Sequence, residues 1–202
     1  YSYSFGGESE LISDAFKDLA LALLLAIVLV YMILAAQFES LVQPLSIMLT
    51  VPLALSGGAL GLYLTGTILS VPAIIGFIIL VGIVVNNGIV LVDYINTRRK
   101  EGEERTEAIK NAGPIRLRPI MMTAFTTVLA LVPLSLGIGE GAELEQPLAV
   151  VVIGGLLLST VLTLVFIPIM YTIFDDIAGF FRRKPLKGAE AEWRAKQAKK
   201  KI

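Results

Sequence analysis

Residues 40–92 read SLVQPLSIMLTVPLALSGGALGLYLTGTILSVPAIIGFIILVGIVVNNGIVLV, without one Asp, Glu, Lys or Arg. A helix rises 1.5 Å per residue, so about 20 apolar residues cross the roughly 30 Å hydrocarbon layer of a bilayer. This run is long enough for two crossings, and the turn-prone YLTGTILS at 63–70 divides it. Backbone N–H and C=O groups at that depth have no water to bond, so they must bond within the segment, as a helix does. The stretch therefore predicts helices over 44–64 and 71–92, joined by a tight hairpin.

Working outward, three more charge-free runs qualify, at 19–38, 119–139 and 146–174. With 55% hydrophobic and 17% charged residues, the chain is too apolar for an ordinary soluble domain. The expected fold is an all-α integral membrane protein, a bundle of about five transmembrane helices occupying 19–177. Residues 1–18 form a segment leading into the first helix, 93–118 a connecting loop, and 178–202 a basic tail. Within the loop, 106–112 predicts a short separate helix, with Thr106 able to cap it, Glu107 in its first turn and Gly113-Pro114 to stop it. The chain starts at Tyr1 with no basic n-region before an apolar core, so it reads as part of a longer protein without a signal peptide here.

Lysine and arginine are unevenly placed. Arg98, Arg99, Lys100, Arg105, Lys110, Arg116 and Arg118 lie between the third and fourth helices, and nine more follow the fifth. The other junctions have none, and the first segment has only Lys17. The positive-inside rule puts both basic segments in the cytoplasm, two crossings apart, and residues 1–18 outside. The tail is expected to be solvated, with anionic lipid of the adjoining leaflet as a sharper alternative partner.

Cysteine and histidine are absent. That excludes disulfides, thiolate and imidazole metal sites, and the Ser-His-Asp and Cys-His catalytic arrangements. No enzyme activity, cofactor or metal site is expected, nor a nucleic-acid partner. Chemistry is left to a few polar groups inside apolar runs. Asn86 and Asn87 sit near the middle of the third helix, where an unbonded amide is costly. They are either part of a transport pathway or hydrogen-bonding glue between helices. Thr123, Thr126 and Thr127 make a hydroxyl stripe on the fourth helix, which either faces those amides or bonds its own backbone. Arg116 and Arg118, just before Pro119, read as topology anchors. The glycines at 57, 58, 61, 82, 88, 154 and 155 allow close helix approach.

Taken in order, the turn QFES, the run LVQPLSIMLTVPLALSGGALGLYL, then GIVVNNGIVLVDYIN, IRLRPIMMTAFTTVLALVPL and a glycine-rich last span resemble the eighth to twelfth membrane helices of resistance-nodulation-division (RND) permeases, in particular the hydrophobe and amphiphile exporters. The resemblance covers roughly residues 5–177. It implies half of a pseudo-symmetric, proton-motive-force-driven exporter in a bacterial cytoplasmic membrane. The partners it implies are the N-terminal half, further copies in a trimer, and a periplasmic adaptor. It further implies that the chain's share of the proton relay is Asn86, with Asn87 beside it, Thr123 and Arg116, and that the principal aspartates lie in the other half. Many multidrug exporters carry lysine where this chain has Asn86, so coupling here would run through hydrogen bonds instead of a switched ion pair. Asn86 is expected to face the centre of the bundle within reach of Thr123. The competing readings are a subunit of a related protein- or lipid-export system and a non-transporting assembly fragment; an intramembrane protease is disfavoured by the lack of His and of paired intramembrane aspartates.

Overall fold

The computed structural model describes residues 8–40 and 43–181, with side-chain surroundings over 10–40 and 43–176, and the basic tail from 182 onward lies outside the described residues. The described chain is helical: α1 (Glu8–Phe38), α2 (Gln43–Met48), α3 (Thr50–Thr65), α4 (Val71–Lys100), α5 (Arg105–Ser135) and α6 (Ala142–Phe181). With α2 and α3 taken as one interrupted crossing, five helices are long and apolar enough to span a membrane.

The expected second helix is broken at Leu49, between α2 and α3. Pro52 has no N–H to offer the carbonyl four residues back, so the ladder is interrupted where the break falls. After α3, Gly66 turns left-handed at φ 66°, and the Gly66 and Thr67 amides bond back to the Tyr63 and Leu62 carbonyls. This closes the last turn with a residue that has no Cβ to clash. Gly102 and Gly137 end α4 and α5 in the same way.

Several helices run past their apolar segments. Helix α1 is already formed at Glu8, where the described residues start, and Lys17 pairs with Asp14 at 3.1 Å on its surface. Helix α4 continues to Lys100, where Arg98, Arg99 and Lys100 complement the negative end of its dipole. The separate helix expected over 106–112 does not exist: α5 runs without interruption from Arg105 through Gly113-Pro114 and Pro119 to Ser135. Each proline removes a single ladder bond, whereas continuing the helix keeps Ala108 and Ala112 fully buried in the core.

Helix α6 is central and packs against α3, α4, α5 and α2, while α1 packs against α2 and α4. One core cluster gathers Leu34, Ile47, Val85, Leu91, Ile95, Ile120, Ile167 and others; a second holds Ala54, Leu80, Val84, Ala124, Val151 and Leu156. Between α3 and α6 the backbones nearly touch. A Cβ on Gly154 would lie 2.8 Å from the Gly57 carbonyl oxygen, and one on Gly57 would lie 2.8 Å from the Leu158 Cβ. Small residues thus set the spacing of this pair.

The charged ends of α4, α5 and α6 meet at one end of the bundle. Gln43 and Asn96 exchange amide hydrogen bonds at 3.3 and 2.9 Å, and the Tyr171 hydroxyl donates to Asn96 Oδ1 at 2.7 Å. Arg99 donates to the Tyr171 oxygen at 2.8 Å and to Asp175 at 3.0 Å. Arg105 reaches Asp175 at 3.4 Å and also pairs with Asp176. Four helices are joined there by side chains.

Candidate functional site

Adjacent residues on a helix point about 100° apart, and the paired amides divide accordingly. Asn87 is turned inward and is 6% exposed, beside Val84, Val85 and Gly88, whereas Asn86 lies on the open face of α4. Ile79, Gly82, Asp93 and Thr97 share that open face. A Cβ added to Gly82 would meet nothing within 4 Å. Among the described residues neither asparagine has a hydrogen-bond partner.

On α5, Thr123 is exposed and its hydroxyl donates to the Pro119 carbonyl at 3.1 Å, while Thr127 donates to the Thr123 carbonyl at 2.9 Å. These hydroxyls are bonded to their own helix. Thr126 faces elsewhere, along a shallow outer groove with Pro114, Arg118, Met122 and Phe125. Among the described residues no direct hydrogen bond joins Asn86 to Thr123, and Asn86 lies on an exposed face of α4.

The contact that does join the two helices lies nearer the charged end. The Arg116 guanidinium of α5 sits 4.5 Å from the ring centroid of Tyr94 on α4. Arg116 Nε is buried and has no hydrogen-bond partner, and Arg116 forms no ion pair with any described residue. Arg98 approaches the same ring at 5.5 Å and donates from Nε to the Tyr94 hydroxyl at 3.1 Å, but Arg98 also has Glu101 at 3.5 Å and Glu103 at 3.8 Å. Helices α4 and α5 run antiparallel from this contact toward mid-bundle. At 1.5 Å per residue, Asn86 is about 12 Å along α4 from Tyr94 and Thr123 about 10 Å along α5 from Arg116, so the two stand at matching depth.

The arrangement is a row of polar groups on neighbouring helices, with an amide and a hydroxyl at mid-depth and a guanidinium below. It can donate and accept hydrogen bonds, and its one carboxylate, Asp93, lies at the charged end of the open face beside Tyr94, with none at mid-depth. Among the described residues no three His, Cys, Asp or Glu side chains converge as a metal-ligand set. The sequence reading missed Tyr94, whose fourfold spacing to Arg98 was the only signal pointing to it.

A family model described as AcrB/AcrD/AcrF matches residues 1–175. The chain belongs to the AcrB/AcrD/AcrF family. This is a family of RND transporters, not enzymes, and the chain is a multi-pass piece of its membrane domain. It is 43% identical over 192 residues to the swarming motility protein SwrC of Bacillus subtilis, covering 95% of this chain and 18% of that protein. The multidrug resistance protein MdtC of Proteus mirabilis is 41% identical, with 86% and 17% covered. The cobalt-zinc-cadmium resistance protein CzcA of Cupriavidus metallidurans is 39% identical, with 86% and 16% covered. The crystal structure of a heavy metal efflux pump superposes with a TM-score of 0.76 at 36% identity, over 84% of this chain and 17% of that one. The chain thus spans under a fifth of the length of these AcrB/AcrD/AcrF relatives.

Proposed function

We propose that this chain supplies the eighth to twelfth membrane helices of a proton-motive-force-driven RND exporter, and that Asn86, Asn87, Thr123 and Arg116 are its share of the proton relay. The observation that carries this reading is Arg116, whose buried Nε lacks a protein partner below an open face bearing an amide and a hydroxyl at one depth. Such groups stay unpaired in a membrane at a cost, so a complementary surface belongs against them. The remaining four-fifths of the relatives' length provides the material for it, and the carboxylates that take up protons are assigned to that part. Asn86, being neutral, couples to them by hydrogen bonds.

The relay works as a unit in a bacterial cytoplasmic membrane, with the basic ends of α4 and α6 inside, in a trimer, and with an extracytoplasmic adaptor as a further partner. Its cargo is hydrophobic or amphiphilic compounds. Divalent metal cations are the second reading, favoured by the nearly equal identity to relatives named for metals. The test is the full-length permease carrying this segment, reconstituted in proteoliposomes with an imposed proton gradient and offered ethidium and Zn²⁺ in parallel. Gradient-dependent ethidium export that collapses in Asn86→Leu and Arg116→Ala supports the reading. Export of Zn²⁺ alone transfers the cargo to the second reading, and full activity of both variants refutes the relay.

A further inference from the structure

We infer that Tyr94 is a positioning residue for Arg116: its ring is the platform that holds the guanidinium in place at the lower end of the relay, an assignment that rests on the relay reading above. An arginine has a long flexible stem, and one without a carboxylate partner has nothing at its tip to select a rotamer. Arg116 has no such partner among the described residues, yet its Nε is buried and its guanidinium lies 4.5 Å from the Tyr94 ring centroid. The π face of an aromatic ring attracts a cation and stacks a planar guanidinium, so the ring constrains both place and orientation.

The ring is itself held. Tyr94 is half-buried against the core cluster that includes Leu91, Ile95 and Ile120, and its hydroxyl accepts from Arg98. Arg98 is paired with Glu101 and Glu103 on its own side of the turn, which neutralises the second cation near the ring. Of the arginines near Tyr94, Arg116 is the one left to answer a charge from outside the described residues. Helix rotation couples the two ends, since Tyr94 and Asn86 belong to the same α4 and any turn of that helix moves the platform together with the mid-depth amide.

The loss of an arginine–aromatic contact in a largely desolvated place corresponds to about a 2- to 30-fold effect. The test measures initial rates of gradient-driven export by the full-length permease in proteoliposomes, with ethidium or Zn²⁺, whichever the unaltered permease exports, across a range of concentrations. Tyr94→Leu and Tyr94→Met are expected to lower turnover within that range and leave KM for the probe unchanged, and Tyr94→Phe, which keeps the ring, to recover most of the loss. Two non-aromatic variants are used so that poor insertion of one leaves the other to decide. Turnover of the surviving non-aromatic variant equal to the unaltered permease overturns the inference, as does a Tyr94→Phe defect as large as that of Leu or Met. Arg116→Ala is measured alongside: full activity there removes the relay reading and this inference with it, whereas an inactive Arg116→Ala beside a fully active Tyr94→Leu removes the inference alone.

Discussion

Asn86 and Asn87 are chemically alike and one residue apart, yet the fold gives them different surroundings. Asn87 is buried beside Gly88, whose neighbours are Ile47 and Ile167, and has no hydrogen-bond partner among the described residues, so the role of glue between these helices has no contact to support it. A buried amide without a partner keeps its desolvation cost, and an apolar side chain of similar size avoids that cost. Asn87→Leu is therefore expected to leave the unfolding free energy of the permease within about 1 kcal/mol of the original or to raise it, read from chemical denaturation in detergent micelles. A loss well beyond that would mean that Asn87 is bonded by something in the folded permease. Asn86 has the opposite geometry, exposed on a face of α4 that runs from Ile79 to Thr97, and its substitution is expected to act on transport with little effect on stability.

At the scale of elements, the five long apolar helices were legible because charge-free runs of sufficient length are hard to accommodate anywhere but in lipid. Their ends were not. Charge marks where the bilayer stops, and a helix has no reason to stop there, as Asp93 to Lys100 on α4 and Arg105 to Arg118 on α5 demonstrate. Gly113-Pro114 misled for a related reason, since a stop signal in water is a tolerated irregularity when neighbouring turns bury Ala108 and Ala112. The polar residues of the candidate site could be picked out by their cost in a membrane. Their contacts could not: whether Arg116 meets Tyr94, or Arg99 meets Asp175 across 76 positions, depends on how α4, α5 and α6 are rotated against one another, which spacing along one helix does not encode. The glycine pairing between α3 and α6 yields a direct test. Gly154→Val places a branched side chain where even a Cβ meets backbone at 2.8 Å, and overpacking of that kind is expected to cost about 1–3 kcal/mol. Gly113→Ala, where a Cβ also meets nothing within 4 Å, is the control and is expected to change stability by less than about 1 kcal/mol, both variants being read by thermal unfolding.

The whole molecule is polarised along its length. One end is bound by amides, a tyrosine hydroxyl and ion pairs drawn from α2, α4, α5 and α6, while at the other, where glycine turns follow α3 and α5, the described side-chain bond between helices is the one from Gln146 to the Ser135 carbonyl at 2.9 Å. On the proposed orientation, drawn from the positive-inside rule, the first end is expected to face the cytoplasm. Cysteine placed at Glu140 is expected to react with a membrane-impermeant maleimide added to intact cells, and cysteine at Glu107 only after permeabilisation; both positions are exposed. The opposite labelling pattern would invert the orientation. Between these ends, the α3–α6 seam behaves as a key in its keyway. Backbone lies against backbone, so if either helix screwed forward or back by one residue, Leu60 or Leu62 of α3, or Ile153 or Leu156 of α6, would arrive where only hydrogen fits. That pair is therefore expected to keep one register and move as a single plank, while α1 and α5 are the less buried helices of the described bundle.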